Sequence, residues 1–127
     1  MGKRIFLTSV LLGIVMFHPI VHALAMAEIQ LNSSLNQRLN AVIDLTARAD
    51  ELDSLNITVS RMDDGSAGYQ RWPGIKAKLV RDSGGKSYIN VTSDEVIREP
   101  VLKFLLELNW SQGRILREYS ILIDPQQ

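Results

Sequence analysis

Five groups of residues in this chain are of types that do chemistry, and each implies a different kind. Asp63-Asp-Gly-Ser66 sets two adjacent carboxylates at a turn, the raw material of a calcium loop. It lacks the alternating oxygen ligands and the closing glutamate that such a loop needs, so an ordinary polar turn is expected. Asp94, Glu95 and Glu99 are carboxylates of the kind that hydrolyse glycosides. That reaction needs two carboxyls facing each other across a cleft, and this spacing shows none; a solvated connection between strands is the expectation. Arg98-Glu99-Pro100 reads as an ion pair at a strand entrance, with a recognition site as the alternative, because proline extends the residue before it and opens a strand at its first position. Arg114 and Arg117, beside Trp110 and Tyr119, form either a cross-strand ladder or a stacking surface for a ligand. Trp72-Pro73-Gly74 lies in the longest irregular stretch and is a candidate recognition tip. An indole tucked beneath the domain is the equal alternative.

The missing residue types exclude more than the present ones suggest. Cysteine is absent, and the only histidines are His18 and His22. Removal of a leader containing both leaves neither Ser-His-Asp nor Cys-His catalysis, and no zinc site built on those ligands. No catalytic residue, cofactor or metal is therefore expected. Loss of Lys3 and Arg4 with the leader leaves 12 basic against 14 acidic side chains, a net charge of −2. That balance argues against nucleic acid as a partner and against a polybasic membrane patch.

Residues 1–25 read as that leader. Lys3 and Arg4 supply a positive start, residues 5–17 an uncharged apolar run, and Ala23-Leu24-Ala25 a small-x-small cleavage pattern with Ala25-Met26-Ala27 as an alternative. The run is shorter than the ~20 residues of a membrane-spanning helix, so no membrane span is expected after cleavage. The rest, residues 26–127, is long enough for one domain. With no disulfide available, that domain must stand on its core.

Period-two alternation marks strands at residues 28–32, 38–45, 56–61, 75–81 and 87–92, followed by a closing pair on either side of residues 111–113. Residues 46–55 change period, with Leu52 and Leu55 on one helical face and Thr46 or Asp50 as cap; one short helix is expected. Residues 63–74 read as a loop and residues 82–85 as a hairpin turn. Seven short antiparallel strands with one helix make the fold mainly β, an immunoglobulin-like sandwich.

The closing hairpin permits a register expectation. A three-residue loop with Gly113 left-handed in a bulge sets Glu107 opposite Arg117, a favourable pair. One face then carries Leu102, Phe104, Leu106, Leu108, Trp110, Leu116 and Leu122. The other carries Val101, Leu105, Ile115, Tyr119, Ile121 and Ile123. A sandwich strand buries one face, so the second lies under the helix, a loop or a partner. Val101, Leu105, Ile115, Tyr119 and Ile121, with Trp72, are the candidate partner-binding residues.

Ala27-Glu-Ile-Gln-Leu-Asn-Ser-Ser-Leu-Asn-Gln-Arg-Leu-Asn-Ala-Val-Ile-Asp-Leu45, directly after a leader, resembles the opening of the FimV/HubP/TspA proteins. Glu51-Leu-Asp-Ser-Leu-Asn-Ile-Thr-Val59 is similar to the segment that follows there. Arg98-Glu-Pro-Val-Leu-Lys-Phe-Leu-Leu-Glu-Leu-Asn-Trp110 and Gly113-Arg-Ile-Leu-Arg-Glu-Tyr-Ser-Ile-Leu-Ile-Asp-Pro125 resemble that family's domain end. The resemblance implies a periplasmic, non-enzymatic N-terminal module of proteins that organise the cell pole and support type IV pilus assembly and twitching motility. Its expected partners are periplasmic or envelope proteins, among them pilus assembly components. Family members continue into a LysM domain, a transmembrane helix and an acidic cytoplasmic part, whose functions are not carried over to these residues. Peptidoglycan is not expected as a partner without the LysM domain. The competing reading is a glycan- or peptidoglycan-binding module with Trp72, Trp110 and Tyr119 as its stacking platform.

Overall fold

Alternating apolar residues in seven short segments are shielded from water when the segments lie edge to edge in sheets and two sheets face one another. The computed structural model describes residues 24–62 and 72–125. The strands are β1 (Ala25–Leu31), β2 (Arg38–Thr46), β3 (Asn56–Arg61), β4 (Ile75–Arg81), β5 (Ser87–Val96), β6 (Val101–Trp110) and β7 (Gly113–Leu122), with one helix, α1 (Ala49–Asp53). One sheet has the order β1-β2-β5-β4 and the other β3-β6-β7, and every neighbouring pair is antiparallel. First, second, fifth and fourth strands against third, sixth and seventh is the seven-strand immunoglobulin arrangement of the constant type, as expected. Asp63 and Asp64 lie outside the described residues.

In antibody domains a disulfide links the second and sixth strands across such a sandwich. Here Leu39, Ala41 and Ile43 of β2, Ile89 and Val91 of β5, and Phe104, Leu106 and Leu108 of β6 are fully buried in one apolar cluster instead. Truncating any of the larger ones to alanine would cost about 2–5 kcal/mol.

Both ends of the sandwich are tied by polar contacts. At one, the Arg48 amide donates to Glu51 Oε1 (2.9 Å), so α1 is capped from within its first turn and not by Thr46 or Asp50. Ser54 Oγ accepts from the Ser111 amide (3.0 Å), Arg48 donates to Gln112 (3.2 Å), and Arg81 pairs with Asp53 (2.8 Å). At the other, the Asn36 amide donates to the Ile97 carbonyl (2.7 Å), Ile97 to Gln37 (2.9 Å), and Ile123 to Pro100 (2.7 Å). Asn36 makes the first of these turns with a positive φ of 67°.

The β6–β7 hairpin differs from expectation by one residue. Trp110 pairs with Gly113 across a two-residue turn, and Glu107 faces Leu116 while Arg117 faces Leu106. Gly113 is not left-handed. Glycine here permits a close approach instead: a Cβ would lie 2.8 Å from the Trp110 ring, which would have to shift. Glu107 still finds an arginine, but it is the diagonal neighbour Arg114. Because side chains alternate, a one-residue slip exchanges the faces of a whole strand. Ile115, Tyr119 and Ile121 therefore face the core beside Leu102, Phe104 and Leu108, and Leu116 and Leu122 face outward beside Leu105 and Val101.

β1 begins at Ala25, three residues earlier than its alternation suggests, and Leu24 ahead of it is buried in the core at 2% exposure. A chain starting at Leu24 is expected to be more stable than one starting at Met26 by about 2 kcal/mol, the value of one buried leucine. Equal urea midpoints would show that Leu24 contributes nothing to the core. Gly113→Ala is expected to cost about 1 kcal/mol and to shift Trp110 fluorescence, whereas an unchanged spectrum and midpoint would mean that the indole does not lie on the glycine.

Candidate functional site

The described residues enclose one sizeable cleft, of about 540 Å3, where β3 and β5 end and β6 begins. Trp72 and Pro73 form one wall, and the connection from Glu95 to Glu99 with Val101, Leu102 and Lys103 forms the rest. The Trp72 wall is held by backbone bonding: the Pro73 carbonyl accepts from the Asp94 and Glu95 amides, both at 3.1 Å. Gly74 makes that approach possible, since its φ is +73° and a Cβ would come within 2.6 Å of the Asp94 carboxylate. Asp94 itself turns to Lys76 at 2.9 Å, so it is not one of a facing pair of acids. Trp72 is half-buried against the core cluster and borders the cleft, which unites the two alternatives posed for it.

The cleft is amphipathic. Val96 and Val101, the latter 40% exposed, give it apolar surface, and Arg61, Arg98 and Lys103 face the same space as Glu95 and Glu99. Among the described residues Arg98 and Glu99 are exposed and form no ion pair with each other, in contrast to the pair expected at this strand entrance. The entrance is fixed by the Pro100 carbonyl, which accepts from Ile123.

The candidate partner residues are divided by this geometry. Trp72 and Val101 meet at the cleft; Leu105 is half-buried on the outer face of its sheet, opposite Glu118. Ile115 is half-buried on the inner face, and Tyr119 and Ile121 are buried there. Ala25 is the first residue of β1, and Ala23 lies outside the described residues. Sequence reasoning missed Leu116 and Leu122, 49% and 69% exposed. Their alternation signal was clear, but the register that assigns it to a face was not.

Tyr119 stacks on Phe104 with ring centroids 5.5 Å apart. Arg117 lies over the Tyr119 ring at 5.7 Å and donates to the Met26 carbonyl of β1 (2.8 Å), closing the side of the sandwich between β7 and β1. Burial pushes the Tyr119 phenol above its ordinary value of 10.0, partly opposed by the Arg117 guanidinium. The three rings of the glycan reading do not share a face. Tyr119 is buried, and Trp110 lies against Gly113 at the far end of β6, about 30 Å from Val101 at 3.3 Å per residue.

Among the described residues no group of three or more acidic, histidine or cysteine side chains could hold a metal, and no helix is long and apolar enough to cross a membrane. The profile of the FimV N-terminal Ig-like domain matches residues 24–126. The chain belongs to the FimV N-terminal domain family. The match begins at Leu24, the buried residue ahead of β1. Two curated relatives, each a motility hub protein FimV from a strain of Pseudomonas aeruginosa, PAO1 and UCBPP-PA14, are 38% identical over 109 residues. That stretch is 82% of this chain and 12% of each relative, so this FimV N-terminal domain chain spans a small part of their length. No solved structure matches it significantly.

The raised Tyr119 value has a definite sign. The folded state holds the phenolic proton more tightly than the unfolded chain, so the contribution is complete below pH 10 and is lost as pH rises through the folded value. Tyr119→Phe should therefore lose less stability than the parent between pH 10 and higher pH, measured as urea midpoints. Identical alkaline slopes would show that Tyr119 is not buried in this way.

Proposed function

We propose that this domain is a non-enzymatic, exported interaction module that binds protein partners in the periplasm and supports type IV pilus assembly, twitching motility or cell-pole organisation. Membership in the FimV N-terminal family supports the motility role, since the curated relatives are motility hub proteins. The observation that carries the interaction role is the end cleft, where Trp72 and Val101 border a space that also receives both signs of charge. A large ring on a wall anchored by two backbone hydrogen bonds is the kind of group that dominates binding energy at protein interfaces. Mixed charges at the rim supply selectivity for a partner segment of complementary pattern.

Export is supported by the leader pattern in the first 25 residues. The burial of Leu24 favours a cut after Ala23, because a cut after Ala25 removes a core side chain. Amino-terminal sequencing of the envelope fraction then begins at Leu24. A protein beginning at Met26 would overturn that placement.

The test of function is the pair Trp72→Ala and Val101→Asp, introduced into the gene and assayed for twitching. Both variants should remain folded by circular dichroism while motility falls. Binding of the partner, once captured by crosslinking to the parent domain, should weaken by at least tenfold for Trp72→Ala, about the 1.4 kcal/mol or more expected of an aromatic anchor. Folded variants with full motility and full binding would remove the cleft from the account.

A further inference from the structure

Four strands lie at sheet edges, and β7, at ten residues against six or seven for β1, β3 and β4, is the longest. Trp110 and Gly113 close a two-residue turn and so form a hydrogen-bonded pair; without a bulge, such pairs then alternate along the ladder. Arg114, Leu116, Glu118 and Ser120 consequently direct their backbone N–H and C=O groups away from β6. Their side chains stand on the outer face of the sheet. An edge of this length is a template for another strand.

We propose that the β7 edge pairs with the β7 edge of a second copy of this chain, antiparallel about a two-fold axis through Leu116. The charge pattern selects both the occupant and the register. With Leu116 opposite Leu116 of the second copy, Arg114 falls opposite Glu118, and Glu118 opposite Arg114. Among the described residues Glu118 has no ion-pair partner within its own chain. Arg114 uses its Nε for Glu107, and its remaining guanidinium donors can meet a second carboxylate. Moving the axis to Glu118 opposes two glutamates, and moving it to Arg117 or Arg114 opposes two arginines. With the axis at Ile115, Arg114 meets only Leu116. Of these five registers only the one at Leu116 joins opposite charges, and it puts two half-exposed leucines at the centre. Three hydrogen-bonded residue pairs then form, and the two β3-β6-β7 sheets become one continuous sheet. This surface lies apart from the cleft and does not depend on the reading of it.

The absence of cysteine allows a direct test on the full-length chain expressed from its own start codon. In a hydrogen-bonded antiparallel pair the Cα atoms are about 5.5 Å apart, within disulfide reach. Leu116→Cys should therefore crosslink to a dimer under mild oxidation, and Ser120→Cys, which the axis sets far from its own copy, should crosslink at least tenfold less. Sedimentation equilibrium supplies the second arm. Glu118→Arg alone and Arg114→Glu alone should each associate at least tenfold more weakly than the parent, and an equimolar mixture of the two should recover the dimer, because each then meets its complement. If Arg114→Glu fails to fold, the cysteine pair decides. A parent that stays monomeric to millimolar concentration, or equal crosslinking at positions 116 and 120, would overturn the proposal.

Discussion

Once the β6–β7 hairpin forms without a bulge, only its register is left to set, and that register decides the side of every residue in β7. The deciding contact is local. The Trp110 indole lies over Gly113 across a two-residue turn, where a side chain of any size would meet the ring at 2.8 Å. From there the pairing runs in step to Val101 and Leu122. Phe104 receives Tyr119, Leu102 receives Ile121 and Leu108 receives Ile115, which completes the core. The same step puts the exposed Arg117 side chain on the β1 side of the sheet, where it crosses Tyr119 to reach the β1 carbonyl and ties the two sheets along that side.

A cysteine-free sandwich of this size relies on that arrangement because nothing covalent substitutes for it. Its central strands β2, β5 and β6 bury alternate residues almost completely, and the polar contacts concentrate at the ends. At the α1 end, serines, arginines and a buried capping glutamate join three connections. At the opposite end, backbone bonds do most of the joining and leave a cleft between the Trp72 wall and the start of β6. The two ends thus differ in degree: the α1 end is joined by side-chain pairing and keeps a smaller cleft of about 220 Å3, and the other is more open.

Much of the fold was legible in the chain. Alternation at residues 38–45 and 87–92, the change of period at residues 46–55 and the turn residues between them determine strands and helix by local physics. The start of β1 was less legible: Leu24 looks like part of a cleavage pattern, and only the packing of β1 shows it as core. The hairpin faces were misassigned because two registers differing by one residue both satisfy Glu107 with an arginine, one directly and one diagonally. Charge pairing could not separate them. The cleft was legible only in part. Trp72 stood out as a loop aromatic, but its meeting with Val101 joins segments some thirty residues apart, which no local pattern encodes.

The faces of β7 rest on the hairpin register, and cross-strand nuclear Overhauser effects read it directly. Hα protons face each other closely in the non-hydrogen-bonded pairs of an antiparallel ladder. Strong Hα–Hα contacts should join Glu107 to Leu116 and Leu105 to Glu118. Strong contacts of Glu107 with Arg117 instead would exchange the faces of β7, returning Tyr119 to the surface and contradicting the account.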